Sequence, residues 1–190
     1  MGVVMQVSSL KNHLLIAMPS LNAGFFSQSV TFLCEHDEHG AMGIVLNKPL
    51  EFELEHVLAQ LDIPCSPAVG RLPVLSGGPV QPEHGFILHS YDGTIYDSTL
   101  AVSDEIALTT SLDIMQAIGH STGPQEFTLA LGYAGWGKGQ LEQEISDNSW
   151  LTVPASPELV FNTKAADLVR LASLQLGIDI HLMSTRAGHA

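Results

Sequence analysis

Leu131-Gly132-Tyr133-Ala134-Gly135-Trp136-Gly137-Lys138-Gly139-Gln140-Leu141-Glu142-Gln143-Glu144-Ile145 is the stretch on which the reading of the chain turns. An apolar run, Phe127 to Leu131, leads into it as a strand. Glycine at 132, 135, 137 and 139 predicts a loop over 132–140, followed by a short amphipathic helix that closes at Asp147-Asn148-Ser149-Trp150. The unit is strand, glycine loop and helix, bracketed by the only two tryptophans of the chain.

Working outward, Leu14 to Met18 is a short buried strand stopped by Pro19. Ser29 to His36 reads as a strand with Val30, Phe32 and Cys34 on one face. Asp37-Glu38-His39-Gly40 is a turn, and Ala41 to Asn47 returns, giving a hairpin over 29–47. Leu54, Val57, Leu58 and Leu61 repeat at helical spacing behind Glu51, Glu53 and Glu55, which suit a helix N-terminus. Ile63 to Pro73, with proline at 64, 67 and 73, is a loop. Val74-Leu75 enters the tight turn Ser76-Gly77-Gly78-Pro79, and Gly85 to Ser90 is another strand. Residues 98–108 carry only a weak strand signal, at Ile106 to Leu108. Thr110 and Asp113 open a helix with Leu112, Met115 and Ile118 as its apolar face and Gly119 as its stop. Leu151 to Val153 is a strand, Ala165 to Leu176 a helix closed by Gly177, and Ile178, Ile180 and Leu182 a last short strand or a tail against the core. Met1 to Leu10 reads as a short helix or a loose terminus. Strict βαβ alternation is absent. The expected fold is therefore a single compact α+β domain over 1–190, with mixed or antiparallel sheets and about four helices.

A chain of 190 residues with 45% hydrophobic and 14% charged residues has a sizeable core to bury. The net charge is −13, and the seven Lys and Arg residues form no basic stripe. Direct nucleic-acid binding and attraction to anionic membranes are both disfavoured. No apolar run approaches the ~20 residues needed to span a bilayer, and the N-terminus lacks the pattern of a secretory signal. Two cysteines, Cys34 and Cys65, fit a reducing compartment. The expected location is cytoplasmic.

Five motifs lie in register across roughly residues 9–189: Met18-Pro19-Ser20-Leu21, Gly43-Ile44-Val45-Leu46-Asn47-Lys48-Pro49, Gly77-Gly78-Pro79-Val80, Leu131 to Gly137 with Gly139-Gln140-Leu141-Glu142, and Asn148-Ser149-Trp150-Leu151. Together they resemble the bacterial YqgE/AlgH family. The resemblance implies a compact, cytosolic α+β domain without an established biochemical activity. Some members carry the label of transcriptional regulator through a link to alginate synthesis, although the fold has no known DNA-binding module. Their genes often neighbour one for a nuclease resembling a Holliday-junction resolvase. One departure is the absence of tryptophan from the helix before Leu176-Gly177-Ile178-Asp179, where relatives often carry one.

Three stretches are candidates for a ligand-facing region: Asn47 and Lys48 at a strand end, Gly77 and Gly78 in a turn, and Gly135, Gly137, Lys138, Gly139 and Gln140 in the glycine loop. Glycines let backbone amides approach an anion, the following helix offers free N–H groups, and Lys138 adds charge. Against this, the spacing is neither GxxxxGK[ST] nor GxGxxG. Glu142 and Glu144 would also complement the helix dipole themselves. The competing reading is architectural: glycines for turning, Tyr133 and Trp136 for packing, and Asn47 closing a turn. A pocket shared by all three stretches is the sharper expectation.

Cys34, His36 and His39 are ligand-type residues, with Cys34 and His36 on one strand face, but no second pair completes a zinc site. His84 and His89 flank a strand at the surface or half-buried. Glu142 and Glu144, two apart on a helix, diverge. No GxSxG, HExxH or local cysteine signature supports nucleophilic catalysis. No catalytic residue, metal or cofactor is expected. The leading expectation is a non-enzymatic domain binding a small anionic metabolite or a protein. Two alternatives stand beside it, a transcriptional regulator acting through a protein partner and an enzyme without a recognisable motif.

Overall fold

The computed structural model describes residues 8–180, 182 and 183, and the reading of Met1 to Leu10 falls mostly outside them. One ten-stranded sheet organises the chain. Its path runs β10 (Trp150–Pro154), β1 (His13–Ala17), β2 (Val30–Asp37), β3 (Gly40–Val45), β9 (Phe127–Gly137), β6 (Val80–Ser90), β8 (Ile106–Thr109), β7 (Thr99–Ala101). Off this path, β5 (Pro73–Ser76) pairs in parallel with β9, and β4 (Pro49–Glu53) pairs with β5. Every other pairing is antiparallel. Mixed α+β architecture is therefore as expected, and the 29–47 hairpin is β2 and β3.

Strand β9 is the pivot. Its first half pairs with β5 on one edge and β6 on the other, while its second half pairs with β3, from Gly43 opposite Ala134 to Gly40 opposite Gly137. The predicted loop at 132–140 is thus mostly strand, and the chain turns only at Lys138-Gly139. Alternation had been broken at Gly132, which adopts φ +78 where the register with β6 shifts. The extra residues of that shift lie on β6, between Val80 and Gly85, and on β9 it is the left-handed backbone at Gly132 that ends the alternation. Ala130 and Tyr133 consequently share one core cluster, while Ala134 and Trp136 point to another.

Six helices are assigned among the described residues, against the four or so expected. The unexpected ones are short: α2 (Pro67–Gly70) and α5 (Pro157–Phe161) each begin with proline behind a serine whose hydroxyl accepts from the amide three residues on. That Ser-Pro cap is a sequence signal for a helix start, and it corrects the loops expected at both places. The others are α1 (Leu54–Gln60), α3 (Leu112–Gly119), α4 (Gln140–Ser146) and α6 (Ala165–Leu174). In α3 the buried face is Ile114, Met115 and Ile118, and Leu112 is 50% exposed, a correction to the predicted stripe.

Three apolar clusters fill the layers. The first lies inside the curl of the sheet, where Leu14, Phe32, Ile44, Phe86 and Leu88 meet Leu159, Leu168 and Ala172 of α5 and α6. The second places α1 and α3 over β5, β6 and β9. The third seats α4 and Phe26 against Leu15, Leu33, Trp136 and Trp150. Fully burying such a side chain is worth about 1.5–3 kcal/mol. Residues 180, 182 and 183 are helical, which corrects the last short strand expected there; Ile180 reaches the first cluster, whereas Leu182 is exposed.

Candidate functional site

The glycines of the organising stretch divide by what surrounds them. A Cβ on Gly77 would lie 2.3 Å from the Gly132 carbonyl oxygen, one on Gly132 2.3 Å from that of Gly78, and one on Gly78 2.0 Å from the Tyr133 carbonyl carbon. These three glycines let two backbone segments cross in contact, and the crossing is filled by protein. Gly77 also donates to Leu131 O and accepts from Val45 N–H. Gly135 and Gly137 are exposed and uncrowded, and Gly139 takes φ +73 with nothing within 4 Å of a built Cβ.

The turn after β9 is held by side chains. Gly137 N–H donates to Gln140 Oε1 at 3.0 Å, and Gln140 Nε2 donates to Glu144 Oε1 at 3.0 Å. Both indole N–H groups, Trp136 and Trp150, donate to Glu144 Oε2 at 2.9 and 2.8 Å. Phe26 packs on both rings. Gln140 therefore serves the turn, and Lys138 is exposed with no hydrogen bond or ion pair to any described residue. Glu142 and Glu144 diverge as expected. Glu142 Oε1 meets His36 Nε2 at 2.7 Å across the sheet.

His36 reaches Glu142 because β2 carries a bulge. The register jumps between Leu33 opposite Gly43 and Glu35 opposite Met42, leaving Cys34 as the extra residue. Cys34 points inward to the first cluster, where burial pushes its thiol pKa up, and His36 faces α4 instead. The expectation that Cys34 and His36 share a face is thereby overturned. Among the described residues no cluster of three or more His, Cys, Asp or Glu is placed to hold a metal. Leu10 N–H donates to His36 Nδ1 at 2.8 Å, so the ring proton is on Nε2 and points at Glu142. Burial pushes the Glu142 carboxyl up, but the bond from His36 and its own backbone amide hold it below the ordinary carboxylate range.

His89, read as surface or half-buried, is 1% exposed, another correction. Its Nδ1–H donates to Ser90 O at 2.9 Å and its Nε2 accepts from the Thr109 hydroxyl at 2.8 Å. Desolvation lowers its pKa against the weaker opposing pull of Ser90 O and Asp92. Both nitrogens of His36 and of His89 are committed to protein groups, leaving neither ring a lone pair for a substrate. The missed signal for His89 was local: it lies among Phe86, Ile87 and Leu88 in a strand covered on both faces.

The three candidate stretches do not line one cleft. Gly77 and Gly78 are buried in the crossing, Gly135 lies on the wall of an open groove, and Gly137 to Gln140 form an exposed turn. Asn47 and Lys48 line a separate cleft of about 470 Å³ between the 17–28 segment and the first turn of α6. Asn47 is already engaged: its Oδ1 accepts from Val30 N–H and its Nδ2 donates to Gln28 O, both at 2.9 Å. Lys48 is freer. Its ammonium makes one long bond, 3.4 Å to Ser27 O, and sits 5.4 Å above the Phe25 ring. Asn22, Ser27 and Gln28 add polar groups, and no carboxylate lines this cleft.

Fold and cavities together describe an α+β protein on a curled mixed sheet, with clefts set beside rather than within its polar networks. A family model described as AlgH-like (DUF179) matches residues 14–181. UPF0301 proteins of Shewanella denitrificans and Methylococcus capsulatus are 50% and 48% identical over 96% and 95% of this chain, and 100% and 96% of their own lengths. The solution structure of the AlgH protein from Pseudomonas aeruginosa superimposes with a TM-score of 0.80 at 43% identity, covering 100% of both chains. A crystal structure of a Corynebacterium diphtheriae protein shares the fold, with a TM-score of 0.73 at 20% identity over 93% of this chain and 92% of that one. The chain belongs to the AlgH-like family. No described helix is long and apolar enough to cross a membrane.

Proposed function

We propose that the chain is a binding protein, without a catalytic step of its own, that takes a small anion in the Asn47–Lys48 cleft. The observation that carries this reading is electrostatic. In a chain of net charge −13, this cleft has an ammonium group and no carboxylate among its lining residues. Its volume lies within the ~300–1,000 Å³ typical of small-molecule sites. Amide groups of Asn22 and Gln28 supply donors beside Lys48, and the first turn of α6 adds N–H groups that the Lys164 side chain does not cap. Asn47 acts as a support: it ties the start of β2 to the strand end that carries Lys48.

The test is a thermal-shift and calorimetric screen of the full chain with inorganic phosphate, pyrophosphate, citrate and a nucleoside monophosphate. A ligand at a hundred times its Kd adds about 2.7 kcal/mol, which for a chain of this size raises Tm by about 2–4 °C per kcal/mol. Lys48→Met is expected to abolish the shift without lowering the Tm of the free protein by more than a degree or so. No shift with any of the four anions, or a shift that Lys48→Met leaves intact, overturns the reading.

A further inference from the structure

The other large concavity has the opposite character. It is an open groove of about 860 Å³ whose floor residues border the first apolar cluster, and Gly135 lies on its wall. Its floor is a row of apolar side chains from five adjacent strands: Met42 of β3, Tyr133 of β9, Phe86 of β6, Leu108 of β8 and Leu100 of β7. The Phe86 and Tyr133 rings meet edge to face with centroids 5.4 Å apart, so the row is continuous at its centre. Neighbouring strands lie about 4.8 Å apart, so five of them span about 19 Å, the length of about six extended residues.

The rim is acidic. Glu35 and Asp37 stand at one end because the bulge at Cys34 turns them to this face, and Asp97 stands at the other. No Lys or Arg lines the groove, and among the described residues none of the three carboxylates is in a salt bridge. The remaining titratable groups on the rim are His39, which contacts Glu38 at 3.5 Å, and Tyr133. An apolar floor with an unneutralised anionic rim selects against a second copy of this acidic chain, since like charges brought together cost several kcal/mol.

We infer that this groove docks an extended segment of a partner protein in which Lys or Arg alternates with large apolar residues. The apolar side chains lie on the Met42–Tyr133–Phe86–Leu108 floor and the cations meet Glu35, Asp37 and Asp97. This surface is independent of the Asn47–Lys48 cleft and stands if that site fails.

The experiment is fluorescence anisotropy of the full chain with a labelled dodecapeptide of alternating Leu and Lys, beside a Ser/Lys peptide of equal charge and a Leu/Glu peptide. The Leu/Lys peptide is expected to bind, with the Ser/Lys peptide weaker by about tenfold or more and the Leu/Glu peptide silent. Glu35→Lys with Asp97→Lys is expected to weaken binding by about tenfold or more, and Met42→Ser by about threefold to tenfold. Glu51→Lys with Glu55→Lys, an equal charge change outside the groove, is expected to leave it within about twofold. Equal losses from the two charge reversals, or equal affinity for the Ser/Lys peptide, would reduce the interaction to non-specific charge attraction and overturn the inference. So would failure of the Leu/Lys peptide to bind. Concentration-dependent self-association in sedimentation velocity, lost in Met42→Ser, would instead assign the groove to a second copy.

Discussion

The glycines from Gly132 to Gly139, in and just beyond the second half of β9, are put to two different uses. Around Gly132 the glycines are there because backbone presses on backbone, with Gly77 and Gly78 on the opposing segment leaving no room for a Cβ. Beyond Tyr133 the space around Gly135, Gly137 and Gly139 is open, and structure is kept by side chains: Gln140 on the Gly137 amide and Glu144 beneath both indoles. A run of glycines is therefore not one feature. Its first member is required by packing from a distant part of the chain, and its last by a local turn.

The sharpest way to break this comparison is Gly78→Ala or Gly132→Ala. Each places a methyl group about 2 Å from backbone atoms that cannot withdraw without separating β9 from the 77–80 segment. A loss of more than about 3 kcal/mol is expected in urea unfolding, because the obstacle is main chain and not a flexible side chain. Near-wild-type stability in either variant would mean that the crossing is looser than drawn.

Glu144→Ala comes next and tests the second half. It strands two indole donors that are 7% and 4% exposed by residue, at a cost of about 2–4 kcal/mol. Glu144→Gln, which retains an acceptor, is expected to recover more than half of that, and the tryptophan fluorescence of the two variants would report whether the pair keeps its environment.

The halves should also part with pH. His89 pairs with Phe127 in the first half, and its folded pKa is held below the ordinary 6.5. As pH falls below about 6.5, the unfolded chain binds a proton that the native state refuses, so stability declines. Glu142, on α4 just past the second half, has a folded pKa below its ordinary 4.5, so its contribution persists above that value and is lost only as pH falls through the lowered one. Melting from about pH 7.5 to about pH 5 should therefore show a slope that His89→Gln flattens and Glu142→Gln does not. A slope unchanged in His89→Gln would remove His89 as its source.

The smallest effects belong to the open end. Gly139→Ala must hold φ +73 with a Cβ, at about 1 kcal/mol. Gly137→Ala meets only Gln140 Oε1 at 3.9 Å and is expected to cost less than about 0.5 kcal/mol in the same unfolding assay. A large loss at Gly137 would show that the two ends are not different after all.

Of the candidate site, the residues were legible and their grouping was not. Asn47 is expected to close a turn of its own, but its side chain instead bonds Val30 N–H and Gln28 O, 17 and 19 residues away. That Lys48 shares its cleft with residues from the 17–28 segment and α6 depends on contacts between distant positions, which leave no mark in local spacing. The apolar floor of the groove was similarly present as five separate strand residues. Only the order β3-β9-β6-β8-β7 lines them up.

Alternating apolar residues, proline stops and helical spacing are local properties of a chain, and by themselves they determined most strands, the longer helices and the 29–47 hairpin, while composition determined the acidic charge and five motifs in register carried the family resemblance. Tertiary structure alone decided which way side chains face after Cys34, an extra residue in β2, and after Gly132, where the backbone turns left-handed, since either break reverses the faces beyond it while leaving composition unchanged. It also decided which glycines are filled by protein and which stand open, because that depends on what crosses them from elsewhere in the chain.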